Sequence, residues 1–150
     1  MTLHAGKGRT DGLGRRRRAR ALAVVGATAA ALVVWAIGEP VLGHDMVVQA
    51  EGQEPQDLGG AAIGVFALLP SLLGWAVLAG LERLTAHAVR IWTAGALTLL
   101  AASFLPFIGV EATGGSKTVL ALTHVAVGAV LIPVFWWTAT ARRANPGGDR

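Results

Sequence analysis

The chain has 150 residues, 53% of them hydrophobic and 15% charged, with a mean hydropathy of +0.56. Soluble domains carry nearer a quarter charged residues, so this composition excludes a disordered chain and argues against a soluble globule. Cysteine is absent, which excludes disulfides, thiolate metal sites and cysteine nucleophiles; thirteen Lys and Arg against nine Asp and Glu give a net charge of +4.

Met1 to Gly14 is Gly-rich without apolar periodicity and reads as a flexible tail. Arg15, Arg16, Arg17, Arg18 and Arg20 follow, and the chain is then uncharged from Ala21 to Gly38. A basic stretch before an Ala-rich run also fits a cleavable signal peptide, with Ala27-Thr28-Ala29 as the cleavage site. Against cleavage, the run continues through Trp35 and Ile37, beyond the length of such a segment.

Glu39 to Gly60 holds two prolines, five carboxylates and no Lys or Arg, and is expected to be a polar loop with a short interfacial turn near Met46 to Gln49. Uncharged blocks then run from Leu58 to Leu81, from Ile91 to Val110 and from Thr118 to Ala141. Glu82-Arg83, a connection containing His87 and Arg90, and a Gly-rich turn from Glu111 to Lys117 separate them. A bilayer core roughly 30 Å thick needs about 20 apolar residues per helix. The expected fold is therefore an all-α, integral membrane four-helix bundle with spans near 21–38, 60–81, 91–110 and 118–140. Residues 1–20 form its basic cytosolic tail, 21–141 its single domain and 142–150 a second tail.

Basic residues set orientation, because Lys and Arg are retained on the cytosolic side. With the N-terminus inside, twelve of the thirteen lie in cytosolic segments and only Lys117 lies outside, so both termini are assigned to the cytosol. Trp92, Trp136 and Trp137 fall at the expected inner boundary and Trp35 near the outer one, as in aromatic belts.

Helices in lipid associate through close packing of small residues. Gly60, Gly64, Ala67, Ser71 and Gly74 repeat at a period of 3.5 and form one seam, expected either within the bundle or at a homodimer interface. Weaker seams are read at Gly95, Thr98, Ala102 and Leu105, and at Ala121, His124, Gly128, Leu131 and Phe135. Pro70, Pro106 and Pro133 remove backbone donors inside spans and are expected to kink them.

His124 is the ionisable residue clearly inside a span. Such a group is a functional hypothesis by default, since imidazole exchanges protons near neutral pH. The plainer expectation is a hydrogen bond to Ser103, Thr98 or a backbone carbonyl as interhelical glue. A metal there would need more ligands, and His44, Asp45 and Glu39 offer no ligand spacing. Glu51, Glu54 and Asp57 form no EF-hand pattern. Glu82 and Arg83 close the second span, where a carboxylate meets the negative helix end and needs a cation; Arg90, Arg142, Arg143 and Arg20 are candidates. No Walker A sequence, nucleophile elbow, HExxH or dinucleotide fingerprint is present, so no enzyme, no cofactor and no nucleic-acid partner are expected.

The stretch Leu73-Gly74-Trp75-Ala76-Val77-Leu78-Ala79-Gly80-Leu81-Glu82-Arg83, then Trp92, Leu120-Ala121-Leu122-Thr123-His124 and Gly128 to Pro133, resembles an actinobacterial family of small four-span membrane proteins catalogued as a domain of unknown function, number six thousand and sixty-nine. Thr123 stands where Met is expected and Gly80 where Leu or Ala is usual. The resemblance implies a four-helix inner-membrane protein with no established activity. The two functions to be weighed are a structural or accessory role beside a membrane partner and a small proton-linked transporter or sensor using His124.

Overall fold

The computed structural model describes residues 5–43, 47, 48, 54, 56–105 and 114–143. Four helices make the fold: α1 (Ala5–Ala36), α2 (Gly60–Leu84), α3 (Ala88–Ala102) and α4 (Gly114–Arg143). Three are long and apolar enough to cross a membrane, in the stretches Gly12–Val41, Gly60–Leu84 and Gly114–Ala141.

The N-terminal reading needs correction. Residues 5–20 belong to one continuous helix with the first apolar stretch and are not a separate flexible tail. Propagating an existing helix costs little per residue, and Arg, Ala and Leu between the glycines are good helix formers. α1 leads into a π-helical turn, Ile37–Val41, in which Leu42 N–H donates to Ile37 O at 3.0 Å. Beyond it lies a minimal antiparallel pair, β1 (Val47–Val48) with β2 (Gln56–Asp57), in the register Val47 to Asp57 and Val48 to Gln56. The loop expected at Glu39 to Gly60 thus contains local structure; His44, Asp45, Met46, Gln49 and Glu51 lie outside the described residues.

α2 begins at Gly60, as its apolar block indicates, and runs on to Leu84. Thr85 to His87 connect it to α3, with His87 N–H donating to Thr85 Oγ1 at 3.1 Å. α3 is the second correction. It starts at Ala88 and ends at Ala102 rather than reaching Val110, so its fifteen residues extend about 22 Å, short of a bilayer core. Ser103 Oγ donates to the Leu100 carbonyl at 2.6 Å, and Leu105 precedes Pro106, a position disfavoured for helix. Pro106 itself lies outside the described residues. Both α2 and α4 remain helical through Pro70 and Pro133.

Each helix runs antiparallel to the next. The N-terminal half of α1 meets the C-terminal ends of α2 and α4 through Arg20, Glu82 and Thr138, while Trp35 near its other end lies over Gly60. α1 packs chiefly on α4 and α2, and α3 closes the ring between them. Two apolar clusters fill the interior. One joins Ala23, Val24 and Ala27 to Leu78, Trp92, Leu131 and Phe135; the other joins Ala31 to Ile63, Ala67, Val119 and Leu120.

The α2 seam faces inward. A Cβ on Gly64 would touch Leu32 at 3.7 Å, Ala67 and Ser71 are buried, and Gly74 receives Trp92. The same residues read as a possible homodimer surface are thus covered by α1 and α3 of their own chain. The α3 seam is overturned: Gly95, Thr98, Ala102 and Leu105 point outward, and Ala88, Val89 and Trp92 are buried in their place. Trp92, the bulkiest side chain of α3, fills the space between α2 and α4, which outweighs the close packing that small residues would give. Trp92 therefore belongs to the core and not to an interfacial belt. Outside the bundle, large apolar side chains are bare, among them Leu22 at 70%, Val25 at 63%, Phe66 at 63% and Leu73 at 64% exposed.

Candidate functional site

The buried face of α1 recurs at Arg20, Val24, Ala27 and Ala31, a spacing of four, three and four that places an arginine on an otherwise apolar seam. Arg20 is 5% exposed. Its Nη2 donates to Glu82 Oε1 at 2.6 Å and its Nη1 to Oε2 at 3.1 Å, a bidentate pair. The third direction of the fork is used as well: Nε donates to Thr138 Oγ1 at 3.0 Å. Thr138 in turn donates its hydroxyl to Phe135 O at 3.2 Å, so its oxygen both accepts and donates.

Phe135, fully buried, lies beneath the guanidinium, 6.0 Å from ring centroid to Cζ. Its other neighbour is Trp92, with centroids 5.2 Å apart and planes tilted by 46°. Trp92 Nε1 donates to Gly74 O at 2.8 Å. Arg20, Glu82, Thr138, Phe135, Trp92 and the Gly74 carbonyl thus form one unbroken set of contacts that joins all four helices.

Of the residues singled out in the sequence, Glu82 is at the centre of this set and its described partner is Arg20. Arg83, one residue on, is exposed. Arg90 is exposed at the start of α3, and the side chains of Arg142 and Arg143 lie outside the described ones. Thr138 and Phe135 were not expected to meet an ion pair. The signal for Arg20 was its phase with Ala27 and Ala31; it was obscured by the four arginines just before it.

His124 is elsewhere. Half-buried on α4, it places Nδ1 2.7 Å from Leu120 O one turn earlier, so this nitrogen carries the proton and donates to its own helix. Its ring lies 6.3 Å from that of Phe104. Ser103 bonds to Leu100 O and Thr98 is exposed, so neither expected side chain supplies the described bond. Gly128, one turn further on, faces Leu100 of α3, with the Cβ position 3.1 Å from Cδ2. At the opposite end from Arg20, Trp35 Nε1 donates to Glu39 Oε2 at 3.0 Å. Among the described residues no group of three or more His, Asp or Glu could hold a metal ion.

The architecture and this site define an all-helical protein with membrane-length apolar helices and an arginine–carboxylate pair enclosed between them. The chain belongs to the family of unknown function DUF6069, whose sequence model matches residues 11–141. That stretch contains every residue of the Arg20 site. No curated protein and no solved structure matches the chain.

Proposed function

We propose that the protein is a small multi-pass protein of the bacterial cytoplasmic membrane with a structural or accessory role beside a membrane-protein partner, and that it performs no catalytic chemistry. The supporting observation is the way Arg20 is used. Both carboxylate oxygens of Glu82, the Thr138 hydroxyl and the Phe135 face are committed to one guanidinium, an arrangement that fixes helices rather than awaiting a substrate. In this reading all four helices cross the bilayer, an even number of crossings, as two termini on one side require. Both termini lie in the cytosol, as the twelve-to-one division of basic residues supports.

The second reading is proton-linked transport or sensing at His124, favoured by an imidazole within an apolar helix. The bond from Nδ1 to Leu120 O fixes the tautomer of the ring and is compatible with either reading, so the choice between them falls to a flux measurement. Proteoliposomes of the purified chain carrying a trapped pH indicator separate the two. The structural reading expects proton leakage equal to that of empty vesicles; a flux abolished by His124→Gln overturns it.

A further inference from the structure

At this end of the bundle Glu82 is paired with Arg20, and six other guanidiniums lie at the same end. Arg15, Arg17, Arg18, Arg83 and Arg90 are exposed and Arg16 is half-buried. Successive residues of a helix are turned by about 100°, so Arg15 to Arg18 surround α1 on all sides. The far end of the bundle differs, since it sets Glu39, Glu54 and Asp57 against Lys117 among its described residues. The charge is thus polarised from one end to the other.

Two features fix the depth and shape of what this collar faces. Trp136 and Trp137, 44% and 65% exposed, immediately precede Thr138, which is bonded to Arg20. Exposed tryptophans mark the headgroup level, so Arg15 to Arg18, within two turns of Arg20, stand at the level of lipid phosphates. Below Arg18, α1 presents a bare stripe on the same outward face: Leu22, Val25, Ala29 and Val33 follow at intervals of four, three, four and four. An arginine above an apolar stripe has the form of a lipid's binding partner, with the headgroup at the cation and the acyl chain along the helix. A zwitterionic headgroup brings its own ammonium, which offsets the attraction, whereas an anionic one does not.

We propose that Arg15 and Arg18, the two arginines of this collar that share the outward face of α1 with the stripe, bind the phosphodiester headgroup of an anionic phospholipid whose acyl chain lies along Leu22, Val25 and Val33. The proposal rests on the membrane reading above. The full chain is reconstituted into phosphatidylcholine nanodiscs containing a minor fraction of phosphatidylglycerol, and the lipids retained on the ejected protein are identified by native mass spectrometry. Phosphatidylglycerol is expected to be retained in preference, with the preference falling about fivefold for each engaged arginine replaced. The R15Q/R18Q variant should show the fall, the R83Q/R90Q variant, with its charges on other helices, should not, and raised salt should weaken the wild-type preference. Inorganic phosphate at matched ionic strength should compete no better than chloride. Equal retention of the two lipids, an unchanged preference in R15Q/R18Q, a fall of the same size in R83Q/R90Q, or displacement by inorganic phosphate overturns the proposal. Failure of the chain to enter nanodiscs would instead refute the membrane reading itself.

Discussion

The indole ring of Trp35 occupies the space above Gly60: a Cβ placed there would fall 2.8 Å from the ring. The contact closes α1 on the start of α2 and is reinforced by the indole N–H, which donates to Glu39 one turn on. Small residues at this seam thus serve the chain's own packing.

Gly60→Ala should therefore destabilise the protein, by about 1 to 3 kcal/mol as expected for overpacking. Gly80→Ala, where a Cβ meets nothing within 4 Å, should be neutral or stabilise by up to about 1 kcal/mol through helix propensity. Thermal unfolding in detergent, followed by tryptophan fluorescence, measures both. Equal effects would show that Trp35 yields freely.

Glu82→Gln removes the counter-charge of a buried guanidinium and should cost about 3 kcal/mol. The double variant R20M/E82L, which replaces the pair by apolar groups of similar volume, should recover most of that loss, because neither charge is then left unpaired. If the double variant is no more stable than the single one, the pair contributes specific geometry that apolar contacts cannot replace.

Thr138→Val keeps the shape of the side chain but deprives Arg20 Nε of its acceptor. A loss of about 1 kcal/mol is expected in the same assay. The loss should vanish in the R20M/E82L background, where there is no Nε–H to satisfy; persistence there would assign the effect to the helix backbone instead.

His124→Asn should keep nearly all of the stability, since hydrogen bonds in membrane proteins average about 0.6 kcal/mol and the amide can reach the same Leu120 carbonyl. The melting temperatures of wild type and variant are compared. A large loss would reveal packing of the ring, for example on Phe104, as its main contribution.

Topology is checked by single cysteines. Asp57→Cys, at the exposed acidic end, should react with an impermeant maleimide in intact cells, and Ala86→Cys, in the exposed connection at the basic end, should react only after lysis. The reverse pattern would invert the orientation.

The sequence by itself determined which segments are apolar, that the helices outnumber any other element, and that charge is divided unequally between the two ends. These properties are local sums: an uncharged run of twenty residues or a group of arginines has its meaning wherever the chain goes. Glu82's need for a cation was also legible, because a carboxylate at a helix C-terminus is unfavourable by itself. Tertiary structure alone decided that the cation is Arg20, sixty-two positions away, and that Thr138, Phe135 and Trp92 complete its surroundings. It also turned α3 so that Trp92, and not the small residues Gly95 and Thr98, faces inward. In lipid an apolar residue gains little from either face, so periodicity alone does not orient a helix that is apolar all round. The inward face is fixed by contacts that only the assembled bundle contains.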